Sequence, residues 1–130
     1  MGTWNLYAAW IGIALGFASG AIQGLFFHRE DWLGGYQSWE RRMTRLGHIS
    51  FFGLAFINLA FAATSKLYAI EGDLSLPSVL LIIGAVTMPL ICYSSAFLKP
   101  LRHLFFIPVL SLMVGAGWFL AMVLPVQPMP

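Results

Sequence analysis

Charged side chains are scarce in this chain. Only 9% of its 130 residues are Asp, Glu, Lys or Arg, whereas 59% are hydrophobic. A water-soluble domain of this size would need more charge to keep so much apolar surface in solution, and a nucleic-acid-binding domain would need a basic face. We therefore expect a single integral-membrane domain over residues 1–130, with the lipid bilayer as a partner and no nucleic acid.

Carboxylates and cysteines are lacking where several kinds of chemistry would need them. All five Asp and Glu residues lie outside the long apolar runs, and a proton-coupled exporter needs a carboxylate within a span. No His and carboxylate share a helical i, i+4 spacing within a run, which argues against a zinc hydrolase. Cys92 is the single cysteine, so a disulfide within the chain is excluded.

Long apolar runs dominate what remains. Each is close to the ~20 residues that an α-helix needs to cross the hydrocarbon of a bilayer. Because the runs are apolar on every side, they do not fit the alternating strands of a membrane barrel. The pattern predicts an all-α, up-down-up-down bundle of four transmembrane helices and an extended, proline-rich tail. The predicted spans are residues 4–27, 46–66, 77–98 and 104–124, and the tail is residues 125–130.

The basic residues predict how this bundle is oriented. Six of the seven Lys and Arg residues lie in the first and third loops, which are on the same side of the bilayer in such a bundle. The positive-inside rule places that side in the cytoplasm and both termini on the non-cytoplasmic side, and we expect a bacterial inner membrane. The six are Arg29, Arg41, Arg42, Arg45, Lys99 and Arg102.

Small and polar residues within the first two spans predict close helix packing. Glycines recur at four-residue intervals along one side of the first span, where another backbone can approach closely, either within the bundle or in another subunit. Asn58 in the second span is predicted to form an interhelical hydrogen bond, because an exposed amide is costly in lipid. The glycines are Gly12, Gly16, Gly20 and Gly24.

The three histidines lie near the predicted cytoplasmic ends of three different spans. His48 is about one turn inside Arg45 and is the best-placed axial ligand for the iron of a haem b, with His103 or His28 as its partner. Haem in a helical bundle takes its histidines from facing helices, and arginines such as Arg45 can pair with its propionates. A simpler alternative is that His28 and His103 are polar residues of the interface and that His48 bonds a neighbouring carbonyl or serine.

Gln23 lies on the glycine side of the first span, in the same leaflet as the histidines. A quinone headgroup bound by His48, Gln23 or Tyr93 is therefore an alternative to haem. Two hypotheses on function remain. The chain is either an accessory subunit of a larger membrane complex, respiratory or photosynthetic and without catalysis of its own, or a b-type haem or quinone-binding electron carrier. Its partners would be other membrane subunits or a second copy that associates through the first helix.

Overall fold

The structure of this chain, a computed structural model, describes residues 2–126. The described residues form four α-helices and two short 3-10 segments. The prediction of an all-helical chain with four helices long and apolar enough to cross a membrane is confirmed, with the fourth apolar segment running from Lys99 to Val123. The helices are α1 (Gly2–Phe26), α2 (Trp39–Leu67), α3 (Ser75–Phe97) and α4 (Phe106–Val123), and the 3-10 segments are Trp32–Gly34 and Lys99–Phe105.

Helix α2 begins well before the apolar run that predicts it. It starts at Trp39 rather than at residue 46, because Ser38 caps its first turn by accepting a hydrogen bond from the backbone N–H of Arg41 at 3.1 Å. Glu40 in that turn also stabilises the helix, because its negative charge lies near the positive end of the helix dipole. The arginine-rich stretch is therefore the first part of α2 and not a loop.

The connection between α1 and α2, residues 27–38, contains two glycines with positive φ angles. Gly34 and Gly35 have φ values of 82° and 99°, a conformation that side chains with a Cβ rarely adopt. Glycine at these two positions allows the chain to change direction before α2. The predicted extended tail falls mostly on residues 127–130, which lie outside the described part of the chain.

Helix α2 is central to the packing, with α1 and α3 against it and α4 against α3. The first part of α1 lies beside the second half of α2 and the start of α3, where Asn5 contacts Asn58 and the Ser78 side chain. The last part of α1 lies beside the start of α2, where Gln23 contacts Thr44. Helix α4 also reaches α2 through an aromatic contact between Phe119 and Phe61, with ring centroids 4.6 Å apart.

The glycine side of α1 packs against α2 within the same chain. A Cβ added to Gly16 would lie 2.7 Å from the Phe52 ring, and one added to Gly20 would lie 2.7 Å from the His48 ring. A Cβ on Gly12 would approach Ala55 at 3.1 Å, which is also tighter than ordinary contact. Gly24 differs, because nothing lies within 4 Å of the place that its Cβ would take.

Candidate functional site

A buried polar cluster joins α1, α2 and α3 at one end of the bundle. Asn5 donates to the side-chain oxygen of Asn58 at 2.8 Å and to the Ser78 carbonyl at 3.2 Å, while the Ser78 hydroxyl donates to Asn5. Asn58 also donates to the carbonyls of Leu54 and Leu81. Both amide side chains are fully buried and fully engaged, so this cluster holds the helices together and offers nothing to a ligand.

Sequence reasoning identified Asn58 but missed its two partners. Asn5 is seven residues before Gly12, which is two helical turns, so both lie on the same side of α1. That spacing is the signal that would have found Asn5. No comparable signal indicates Ser78, because a single serine near the start of a transmembrane helix is unremarkable by composition.

Gln23 forms the corresponding link at the arginine-rich end. Its side chain is 7% exposed. The amide nitrogen donates to the Thr44 carbonyl at 3.3 Å and to the Tyr93 hydroxyl at 3.1 Å, which joins α1, α2 and α3. The start of α2 is also tied to the end of α3, because the Trp39 indole donates to the Ser95 carbonyl at 2.7 Å.

His48 is half-buried and contacts α1 directly. Its Nδ1 lies 3.0 Å from the Ser19 hydroxyl, and its ring meets Phe52 edge to face at 5.6 Å. The Ser19 hydroxyl donates its single hydrogen to the Gly16 carbonyl at 3.1 Å. With that hydrogen on the carbonyl, the Ser19 oxygen is an acceptor for an N–H at Nδ1 of His48, and in this tautomer Nε2 carries the lone pair.

A cleft between α1 and α2 brings together three of the predicted site residues, His48, Arg45 and Gln23. Its volume is about 230 Å³. Arg45 lines it from one side, with the guanidinium stacked on the Tyr36 ring at 4.6 Å from the centroid. Gly24 leaves the opposite side open. The lining residues are Gly20, Gln23, Gly24, Phe27, Arg45, His48 and Ile49.

The other two histidines are not brought to this cleft. His28 is exposed just after α1, and His103 is exposed in the 3-10 segment before α4, which packs on α3. Neither lines the cleft with His48. Among residues 2–126, no three His, Cys, Asp or Glu side chains cluster closely enough to hold a metal ion. A haem ligated by His48 together with His103 or His28 stays a prediction.

Arg41 is a buried cation that sequence reasoning placed in the first loop. It is 2% exposed. Its guanidinium donates to the carbonyls of Phe27 and Arg29 at 2.9 and 3.2 Å, just beyond the end of α1, while Nε has no partner in the described chain. Three aromatic rings surround it at 4.9–5.4 Å from their centroids, those of Phe27, Trp32 and Tyr36.

A second, larger groove runs between α1 and α3. Its volume is about 670 Å³, and nearly all of its surface is apolar. Small residues form part of its lining, among them Ala8, Gly12 and Ala85, while Trp4 and Tyr93 also border it. The groove therefore offers space for hydrocarbon or for an apolar side-chain ridge.

Comparison with known proteins found no relative of this chain. No protein-family model matches the chain, and neither the curated proteins nor the solved structures include a significant match. Its function has to be argued from its own residues.

Proposed function

We propose that this chain is a small accessory subunit of a larger membrane complex, respiratory or photosynthetic, that crosses the bilayer four times in an up-down-up-down arrangement. The pairing of Asn5 with Asn58, and of Gln23 with Thr44, supports opposite directions for α1 and α2. Both termini would be non-cytoplasmic, because six of the seven Lys and Arg residues lie in the connections at the other end. A bacterial inner membrane suits this arrangement.

The main support for the accessory role is that polar side chains inside the bundle form hydrogen bonds with one another. Asn5, Asn58, Ser78 and Gln23 all form hydrogen bonds between helices. A transport path or catalytic site within a membrane needs polar or ionisable groups that are free to meet a substrate. Here those groups stabilise the packing, which favours a rigid scaffold.

The groove between α1 and α3 is the surface that best suits a partner helix. Transmembrane helices associate through close packing, and interfaces are enriched in small residues. Ala8 and Ala85 provide such residues along the groove, so side chains of a partner subunit can enter it. The glycine side of α1 would not serve for self-association, because Gly12, Gly16 and Gly20 already pack against α2.

The test is the size of the complex that the tagged chain forms in its native membrane. Ala85→Phe should fill the groove and shift the chain from a high-mass band to a low-mass band on a native gel. Ala21→Phe is the matched control, because Ala21 is exposed on α1 and borders none of the described grooves. A chain that migrates alone before any substitution would reject the accessory role.

A second candidate, a b-type haem or quinone-binding electron carrier, is favoured by the free Nε2 of His48 beside the cleft that Arg45 also lines. Nε2 lies on the Gly20 side, 3.3 Å from the place that a Cβ on that glycine would take. The cleft volume of about 230 Å³ is below the ~300–1,000 Å³ of typical cofactor sites. A haem would therefore need a partner subunit to complete its site.

An absorption spectrum of the purified protein tests the haem version. A Soret band that His48→Ala abolishes would support it, and parallel His28→Ala and His103→Ala variants would identify the second ligand. A colourless, fully folded protein would reject it. Organic extraction of the same sample tests the quinone version, because a bound quinone would be recovered from the native protein and not from His48→Ala.

A further inference from the structure

Arg45 is a partly buried cation that the chain itself does not neutralise. Among residues 2–126, the one ion pair is Arg29 with Asp31, at 3.5 Å and exposed. Arg45 also donates no hydrogen bond to a described residue, and its guanidinium carbon lies over the Tyr36 ring, 4.6 Å from the centroid. Stacking on a ring leaves the N–H groups at the edge of the guanidinium available for another acceptor. The acceptor that Arg45 lacks is not supplied by residues 2–126.

The position of Arg45 restricts what that acceptor can be. The arginine lies in the second turn of α2, at the end of the bundle where the other basic residues are concentrated. Ile49, Gly24 and Gly20 continue the cleft toward the interior of the spans. A ligand that fits would therefore be anionic at the interface and hydrocarbon below it.

We propose that the cleft between α1 and α2 binds an anionic phospholipid, with its phosphate on Arg45 and the start of one acyl chain over Gly24 and Gly20. Basic recesses between transmembrane helices on the cytoplasmic side are suited to anionic headgroups. The volume of about 230 Å³ suits a phosphate and a few methylenes, with the rest of the lipid in the bilayer. The proposal needs only the membrane location, and it is independent of the accessory role.

Gly24 is the feature that makes this cleft testable. It lines the cleft, yet a Cβ built on it meets no atom within 4 Å. A larger side chain there would therefore fill the cleft without disturbing the packing of α1 on α2. Gly53 on α2 is a matched control, because its Cβ position is equally open and it lies outside the cleft.

The experiment is native mass spectrometry of the full-length protein in detergent, titrated with phosphatidylglycerol or with phosphatidylcholine. We expect tighter binding of phosphatidylglycerol. Arg45→Gln should raise its apparent dissociation constant about fivefold, in line with the contribution of one arginine near an anionic lipid surface. Gly24→Leu should also raise it, because the new side chain fills the cleft. Arg42→Gln, which removes an exposed charge one turn away, and Gly53→Leu should leave it unchanged. Unfolding midpoints measured without lipid check that each variant folds.

Several results would overturn the proposal. Equal losses of phosphatidylglycerol affinity in Arg42→Gln and Arg45→Gln would show that the basic end of the bundle attracts the lipid diffusely. Equal binding of the two lipids would show that the negative charge of phosphatidylglycerol is irrelevant. Full competition by inorganic phosphate at millimolar concentration would show a free-anion site and no lipid site. If Arg45→Gln fails to fold, Gly24→Leu carries the test, and unchanged binding in that variant rejects the cleft. If the chain forms no complex with other subunits in its membrane, the accessory role is rejected, but the lipid-binding result is unaffected.

Discussion

Arg41 shows how a single residue organises the arginine-rich end. A buried charge without a carboxylate is costly unless other groups replace its hydration. Here two carbonyls beyond the end of α1 and three aromatic rings do so, and the negative end of the α1 dipole adds to their effect. The residue thereby ties the first loop to the end of α1, which a composition-based view of the loop does not suggest.

Replacing Arg41 by lysine should therefore destabilise the protein although the charge is kept. A lysine cannot stack on the rings as a planar group and cannot direct two N–H groups at both carbonyls. We expect a loss of about 1–3 kcal/mol, as for a buried hydrogen-bonding group left without its partner, measured by thermal or denaturant unfolding in detergent. Arg42→Lys is the control, because Arg42 is exposed. Equal stability of the two variants would contradict the role assigned to Arg41.

The hydrogen bond between Asn5 and Asn58 should contribute to stability as a pair. Single replacement by alanine removes one partner and leaves the other amide buried without its acceptor or donor, so each variant should lose about 0.6–2 kcal/mol. The double variant should lose less than the sum of the two, because the contact can be lost only once. A double-mutant cycle on unfolding free energies measures this, and strict additivity would show that the two amides act independently.

At the scale of elements, α1 buries residues along one side. The buried residues of α1 are Asn5, Ala9, Gly16 and Gln23, at heptad-like spacing. Such spacing is typical of the ~20° crossing that most transmembrane bundles adopt. Glycine is required where α2 places a ring over the α1 backbone, and it is optional at Gly24, where α2 leaves space.

This difference predicts opposite outcomes for substitutions along one side of α1. Gly16→Leu and Gly20→Leu should separate α1 from α2, because each new side chain would occupy the volume of the Phe52 or His48 ring. Both should lower the unfolding midpoint strongly and broaden elution in size-exclusion chromatography. Gly24→Leu should behave like the unmodified protein in both measurements. If all three variants behave alike, the α1–α2 contact is not as close as described.

At the scale of the whole molecule, the two ends of the bundle differ in charge. Six basic residues lie at the end where α1 meets α2 in sequence, whereas Lys66 is the one basic residue at the opposite end. The positive-inside rule and the attraction of anionic lipids both depend on the summed charge at each end of the bundle. The orientation that we propose for the chain in the bilayer therefore depends on all of these charges together and not on any one helix.

Reporter fusions test that orientation. Alkaline phosphatase fused to the C-terminus should be active, because the enzyme folds only outside the cytoplasm, whereas a fluorescent protein active only inside should be dark there. Fusions truncated after Gly35, in the first loop, should give the reverse pattern. An active fluorescent fusion at the C-terminus would reverse the topology and move the cleft to the other leaflet.

By itself, the sequence determined the class of this protein and the approximate position of its helices. In lipid every backbone N–H and C=O must find a partner within its own segment, so a run of about 20 apolar residues has almost no alternative to a helix. Which of the glycines meets α2 depends on the facing helix, but their spacing and the position of Asn58 were readable from the sequence. The start of α2 was not, because Ser38 extends the helix beyond the apolar run that marks the span.

Only the tertiary structure decided which side chains meet. Asn5 pairs with Ser78 across 73 positions and Gln23 with Tyr93 across 70, and no local pattern carries that information. The same holds for the cleft, which unites His48, Arg45 and Gln23 while His28 and His103 lie elsewhere. Depth in the membrane follows from position along a helix, whereas proximity depends on the rotation and neighbours of each helix, and these are set by packing between distant parts of the chain.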